Sequence, residues 1–407
     1  MARGLPGGSA APGLPGGEFA VIIGTMIYLD HNATTPLCPE ARAAMLPLFG
    51  GTWGNASGIH ASGRRTRAVI DDSRDRIGSL LGVKPHGVVF TGGGTESCNL
   101  ALLGLARRHR APGRDHLVTS ATEHHAVLHA MRSLAQREGF RLTELPVDAR
   151  GMIDPDRFSS ALGPGTILAS VMLANNETGV IQPIAEIAAI CRERGVMLHT
   201  DAVQAFGKIP CHPGELGVDA LSATAHKFYG PHGAGFLWIR PGLAIEAIQH
   251  GGYHENERRP GTENAAAIAG MAAAAERAVS EVSGGGESLR LAELRETLWT
   301  GIRRLFPGAL RNAAGAPVVA NTLSVSFPGC DGETILMGLD LEGVAVSSGS
   351  ACMVGSILPS HVLLAMGVPE DAARATVRFS LGRETTDAEI ARTIASAERV
   401  LARQTTR

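Results

Sequence analysis

Lys227 has the surroundings best suited to covalent chemistry, in the run Thr224-Ala225-His226-Lys227-Phe228-Tyr229-Gly230-Pro231. It follows a short apolar run and lies in a turn punctuated by glycine and proline. Partial loss of solvent there lowers a lysine pKa and makes the amine a Schiff-base nucleophile. An ordinary surface lysine in a turn is the plain alternative. Upstream, His199-Thr200-Asp201-Ala202-Val203-Gln204 ends an apolar run on a carboxylate. Such an aspartate can keep a pyridine nitrogen protonated, or it can simply cap a helix. Gly92-Gly93-Gly94-Thr95-Glu96-Ser97 stands between a strand and a helix. Glycines there let the backbone approach a phosphate, and helix N–H groups bind it. No Gly-Lys-Ser/Thr follows and the G-x-G-x-x-G spacing is absent, so neither nucleotide-binding pattern is met.

Four further runs carry candidate groups. In Thr122-Glu123-His124-His125 a histidine can stack on an aromatic cofactor and move protons, or act as a cap. Asn175-Asn176-Glu177-Thr178-Gly179 is a polar turn at a strand end. In Ser347-Ser348-Gly349-Ser350-Ala351-Cys352 the cysteine sits among small residues that cannot bury it well, which favours an exposed, mobile thiol. Most cysteines are instead buried and inert. In Val377-Arg378-Phe379 the arginine is a candidate bidentate carboxylate clamp, or one half of a buried ion pair.

The elements that must position these groups alternate along the chain. Helical patterns fall at Arg65–Leu81, Thr95–His109, His125–Glu138, Ile184–Arg194, Ala265–Val282 and Glu287–Leu305. Short β-rich runs fall at Val88–Thr91, His116–Ser120, Thr166–Ala174, Met197–Asp201, Asp219–Ala223, Gly235–Ile239 and Thr322–Phe327. This alternation predicts an α/β fold with a mostly parallel sheet, covered on both faces and binding its ligand at the carboxyl ends of the strands. From about residue 285 the pattern changes to a smaller α+β domain.

Composition narrows the function classes. The 407 residues include 37 Lys+Arg and 39 Asp+Glu, for a formal net charge of −2. That balance supplies no general pull toward nucleic acid or an anionic membrane. No apolar run reaches the ~18 residues that span a bilayer. The six cysteines contain no C-x-x-C pair, so a disulfide scaffold, a zinc ribbon and a thioredoxin-like motif are excluded, and a reducing cytoplasm is expected. Residues 1–25 hold seven glycines and three prolines, and their apolar stretch, Phe19–Ile23, is too short for a signal-peptide core. They read as a disordered extension, and the change of texture at Met26 points to translation starting there.

Taken in order, nine runs resemble the cysteine desulfurases of the NifS/IscS type, in the class V aminotransferase family. They are YLDHNATTP at 28–36, FTGGGTES at 90–97, TEHHAVL at 122–128, ANNETGV at 174–180, HTDAVQAFGK at 199–208, HKFYGP at 226–231, RPGTENAA at 259–266, SSGSAC at 347–352 and RFSLGR at 378–383. The resemblance covers about residues 26–400. It implies fold type I of the enzymes dependent on pyridoxal 5'-phosphate (PLP). The domains it implies are an N-terminal segment at 26–40 packing with the small domain, a large PLP-binding domain at 41–284, and a small domain at 285–407 carrying the cysteine loop.

The same resemblance implies residue roles. Lys227 would bind the cofactor covalently, Asp201 would pair with its ring nitrogen, Gln204 would donate to its phenolic oxygen, and His124 would stack on the ring and move protons. Asn176 would lie near the phenolic oxygen and the substrate carboxylate. Gly94, Thr95, Thr224 and His226 would form the phosphate cup, and Thr262 would reach the phosphate of the neighbouring subunit of a homodimer. Arg378, with Asn32, would hold the carboxylate of L-cysteine. Cys352 would take the sulfur as a persulfide, pass it to an acceptor or iron–sulfur scaffold protein, and serve at most as a transient iron–sulfur ligand, with no resident metal. Met353, Val354, Leu358 and Ala225 depart from the family pattern, and the chain lacks the longer tail with which housekeeping members engage their scaffold. The loop and tail departures bear on the acceptor, whereas Ala225 stands for the usual glycine in the phosphate cup and leaves it room. Selenocysteine lyase activity and sulfur supply for tRNA thiolation are the alternative outcomes.

Overall fold

A computed structural model describes residues 26–51, 54–348 and 359–403. The 1–25 extension and the loop bearing Cys352, Met353, Val354 and Leu358 lie outside the described residues. The strands are β1 (Ile27–Tyr28), β2 (Val88–Thr91), β3 (His116–Ser120), β4 (Arg141–Leu145), β5 (Thr166–Ser170), β6 (Met197–Asp201), β7 (Ala220–Thr224), β8 (Gly235–Ile239), β9 (Leu310–Arg311), β10 (Thr322–Ser326), β11 (Val344–Ala345), β12 (Ser347–Ser348) and β13 (Thr376–Ser380).

Seven of them form the central sheet, in the order β2-β8-β7-β6-β5-β3-β4. Strands β4, β3, β5, β6 and β7 run parallel, and β8 is antiparallel to both of its neighbours. Side chains alternate across a strand, so each strand feeds two cores. Val88, Phe90, Val118, Leu221, Phe236 and Trp238 face one core, which includes helix Ala265–Gly284. Val89, Leu117, Ala220, Leu237 and Ile239 face another, built on helices Gly94–His109 and His125–Glu138. That two-sided burial explains the near-continuous apolar strands.

Two expectations change in detail. The strand expected to reach Ala174 ends at Ser170, although Val171–Ala174 stay buried, Val171 N and Leu173 N still donate to the His199 and Asp201 carbonyls of β6, and Met172 and Ala174 line the cavity. Strand β4, at the sheet edge, was not marked by the sequence pattern. It is half exposed, so its apolar content is low.

A second sheet, β12-β13-β10-β9, carries its own apolar cluster with helices Gly286–Leu305 and Asp387–Ala402. The N-terminal strand belongs to that cluster. Ile27 and Tyr28 pair in parallel with Val344 and Ala345, and Ile27 and Leu29 are buried there. The backbone then runs past Ser380, whose Oγ accepts from Asn32 N at 2.9 Å. This brings residues 30–35 between the two sheets.

Candidate active site

A cavity of about 520 Å³ opens at the carboxyl ends of the parallel strands. That size suits a small-molecule ligand. Of the residues singled out in the sequence, Asn32, Gly94, Thr95, His124, Asn176, Asp201, Gln204, Thr224, His226, Lys227 and Arg378 all line it. Thr262 does not; it is exposed on the segment before helix Ala265–Gly284.

Lys227 follows β7 in a 3-10 turn, Ala225–Lys227. Its Nζ donates to the carbonyls of Asn32 and Ala33, both at 2.6 Å. Gln204 Nε2 donates to the same Asn32 carbonyl at 2.9 Å. The Asn32 side chain is committed within the protein. Its Nδ2 donates to Thr322 Oγ1 at 2.8 Å and to the Asn176 carbonyl at 3.2 Å, and its Oδ1 accepts from Lys208 Nζ and Asn321 Nδ2, each at 3.0 Å.

Asp201 ends β6 and is buried, with Oδ1 accepting from Val203 N at 2.9 Å. Burial raises its pKa, opposed by the Val203 N–H, the Cys98 thiol and the Lys227 cation. His124 caps helix His125–Glu138, its Nδ1 accepting from Ala126 N at 3.1 Å. Burial, with Lys227 nearby, pulls it down to about 4, so the ring is neutral at pH 7 and its proton sits on Nε2. The capping and cavity readings of this histidine therefore coexist.

The glycine run meets the first turn of helix Gly94–His109. Gly93 has φ +154°, open to glycine alone, and a Cβ on Gly94 would lie 2.9 Å from Val203 Cγ2. Glu96 Oε2 accepts from Gly92 N at 2.6 Å and its Oε1 from Arg259 Nε at 2.7 Å, which fixes the loop. Thr224 Oγ1 donates to the Ala234 carbonyl at 3.1 Å, and His226 stacks on His232.

Arg378 on β13 pairs with Asp30 at 2.8 Å and donates to the Asn176 carbonyl at 3.0 Å. Its buried Nε has no hydrogen-bond partner among the described residues. The ion-pair reading thus holds, and the two acceptors leave other N–H groups of the five-donor guanidinium for a ligand.

The sequence reading gave no role to several groups on this wall. Glu177 lines the cavity and accepts from Ser360 Oγ; burial pushes its carboxyl up to about 7. Glu123 is buried behind it, with Oε1 accepting from Met172 N at 2.6 Å, and its pKa is raised by burial. His361 and His125 stack with 4.7 Å between ring centroids, and both line the cavity. Lys208 is half-buried beside Lys227. All but His361 lie inside the quoted runs, yet local sequence does not state which carboxylates a distant serine or helix will bury.

Lys227 and Arg378 give the site a cationic bias, because Glu123 and Glu177 are held toward their neutral forms. Such a bias favours anionic ligands. The glycine-lined helix N-terminus suits a phosphate, the Asp201 carboxylate a ring nitrogen, the neutral His124 imidazole a flat ring, and Lys227 an aldehyde. The donor set therefore fits pyridoxal phosphate. Among the described residues, no group of three or more histidine, cysteine or acidic side chains could hold a metal ion.

Comparison with known proteins agrees with this geometry. The chain is 45% identical over 375 residues to a cysteine desulfurase IscS of Dictyoglomus turgidum, covering 92% of this chain and 94% of that one. It is 42% identical over 369 residues to a cysteine desulfurase IscS of Methanosarcina thermophila, covering 90% of each. The solved structure of a NifS-like protein superposes with a TM-score of 0.86 at 34% identity, over 93% of this chain and 99% of that one. The model of the class-V aminotransferases matches residues 27–393, and the chain belongs to that family.

Proposed function

We propose that this protein is a cysteine desulfurase, which converts L-cysteine to L-alanine and carries the released sulfur on Cys352. The observation that carries the reading is the convergence of Lys227, Asp201, His124 and Arg378 on one cavity whose wall includes Pro359, the first described residue after 349–358. Pro359 as a wall residue supports the role given to Cys352.

Pyridoxal phosphate is the cofactor, and it supplies an electron sink for the pair released from the substrate Cα–H bond. Gly94, Thr95, Thr224 and His226 would hold its phosphate, Asp201 the ring nitrogen, and Gln204 and Asn176 the phenolic edge. Lys227 Nζ, poised on two backbone carbonyls, would hold the aldehyde end and take the substrate α-proton. His124 would lie against the ring and offer its Nε2 proton. Arg378 would orient the substrate carboxylate with guanidinium N–H groups that Asp30 and Asn176 do not take. Asn32 acts by aiming its backbone carbonyl and by bracing Asn176, since its own amide is committed. The Cys352 thiolate attacks the substrate sulfur. The substrate C–S bond breaks, an S–S bond forms, and the two thiols become a persulfide and a methyl group, so hydrogens and electrons balance.

The other cysteines are poor candidates for this step. Cys38, Cys98, Cys191 and Cys211 are buried and Cys330 is half-buried. Burial raises the pKa of each, and pushes Cys191 up to about 12. A high pKa starves a thiol of its reactive form. We assign the sulfur to iron–sulfur cluster assembly through an acceptor protein, in a cytoplasmic homodimer in which Thr262 reaches the partner's phosphate. No helix among the described residues is long and apolar enough to cross a membrane.

The test is Cys352→Ala. The variant is expected to keep the visible absorption of bound cofactor and to lose sulfide release. Wild-type protein given L-cysteine without reductant is expected to gain one sulfur on the Cys352 peptide by mass spectrometry. Full activity in Cys352→Ala, with the added sulfur on Cys330 or Cys98, would overturn the assignment.

A further inference from the structure

Lys208 is a half-buried amine to which the reaction above gives no task. It lies in the turn that leaves β6, four residues after Gln204, and its backbone N donates to the Ala205 carbonyl at 2.9 Å. Gly207 makes that aim possible. Its φ is +76°, and a Cβ there would lie 2.7 Å from Ala278 Cβ and 3.1 Å from Phe228 Cβ. The chain is pinned between two packed elements, and Lys208 is turned inward as a result.

Inside, Lys208 Nζ donates to Gln204 Oε1 at 2.7 Å and to Asn32 Oδ1 at 3.0 Å. The two acceptors depend on it unequally. Asn32 Oδ1 also receives Asn321 Nδ2 at 3.0 Å, whereas Gln204 Oε1 has Lys208 alone among the described residues. An amide has a donor end and an acceptor end, and a lysine amine in this position offers protons. Lys208 therefore fixes, together with the Asn32 carbonyl, which end of Gln204 turns away from the cavity. The other end, Nε2, meets the Asn32 carbonyl that also receives Lys227 Nζ.

We propose that Lys208 is a positioning residue for the cofactor: it locks the Gln204 amide so that its N–H end, and not its carbonyl, faces the phenolic oxygen next to Lys227. This rests on the reading of Gln204 as the donor to that oxygen. The surroundings make a purely electrostatic role unfavourable. Lys227, Arg378 and His31 face Lys208 from other segments, and Glu281 and Glu287 line the small cavity behind it. Burial and the two neighbouring cations pull Lys208 down to about 7, so its site works against its charge. An N–H toward Gln204 survives in either protonation state.

The experiment titrates the visible absorption band of the holoenzyme against pH, in variants whose cofactor content is measured first. A donor to the phenolic oxygen stabilises the deprotonated chromophore and lowers the midpoint. Gln204→Leu is expected to raise the midpoint by about one pH unit, the scale of one hydrogen bond to a charged group. Lys208→Met is expected to raise it by a similar amount, and to add nothing in the Gln204→Leu background, because neighbours acting through one group are non-additive. Lys208→Gln keeps a donor and is expected to retain the wild-type midpoint; it also carries the test should Lys208→Met fail to fold. An unshifted Gln204→Leu would overturn the Gln204 reading itself. A shifted Gln204→Leu with an unshifted Lys208→Met would overturn only the Lys208 proposal. A Lys208→Met shift that persists undiminished without Gln204, or an equal shift in Lys208→Gln, would show a direct charge effect and overturn it as well.

Discussion

Glu177 is held near the midpoint of its titration by its position. It is buried between the Asn175–Gly179 turn and Ser360, and burial lifts its carboxyl to about 7 against an ordinary value of 4.5. A raised native pKa means that its contribution to stability is full below pH 4.5 and is lost as pH rises toward 7. A shift of this size corresponds to about 3 kcal/mol. Glu177→Gln is therefore expected to flatten the fall in stability between those pH values, measured by urea melts at a series of pH. An unchanged slope would place the titration elsewhere. For Asp201→Asn the expected outcome is retained cofactor binding with turnover lowered by about 10²-fold or more, because an amide cannot balance a positive ring nitrogen. Stopped-flow assays on fully loaded protein check this, and near-normal turnover would remove Asp201 from its role.

The glycine-to-helix junction does its work through space rather than side chains. On the cavity side of Gly94 there is no room for a methyl group, with Val203 Cγ2 at 2.9 Å and Thr224 Cγ2 at 3.4 Å from an added Cβ. Gly94→Ala is expected to weaken cofactor affinity by about tenfold, since overpacking costs about 1–3 kcal/mol. Titration of the cofactor-free protein with pyridoxal phosphate measures it. The same scale explains what could be read from sequence. Strands such as β2 and β8 were legible because both faces are buried, which leaves unbroken apolar runs closed by glycine. Strand β4 was not, because an edge strand with one wet face dilutes the signal. Lys227 and Asp201 were legible because they stand at strand ends of the central sheet, where such folds place the ligand, whereas Arg378, in the middle of β13, was legible as an arginine flanked by apolar residues. The commitment of the Asn32 amide was not, because its partners Asn321 and Thr322 lie 289 and 290 positions away.

Across the whole molecule, the exposed Thr262 is the one assigned cofactor residue outside the cavity of its own chain. A shared site makes a genetic prediction. Lys227→Ala and Thr262→Ala subunits, each impaired as homodimers, are expected to regain activity when mixed after reversible dissociation. In a mixed dimer both defects fall in one site and the other site is whole. Activity that never exceeds the sum of the separate variants would argue that each chain supplies its own complete site.

The route of the N-terminal segment bears on how the enzyme is made. Asn32 meets Ser380 across 348 positions, and the carbonyls of Asn32 and Ala33 hold Lys227. During synthesis at about 5–20 residues per second, the first strand waits on the order of 20–70 s for its partners to leave the ribosome. The seven-stranded sheet can close in that interval, since its last strand ends at Ile239. A nascent chain released early would thus carry Lys227 on a formed sheet with Thr35 tied to His226, but with the Asn32 side lacking its Ser380, Asn321 and Thr322 anchors. Cofactor capture by ribosome-bound chains should accordingly rise sharply once residue 380 has cleared the exit tunnel.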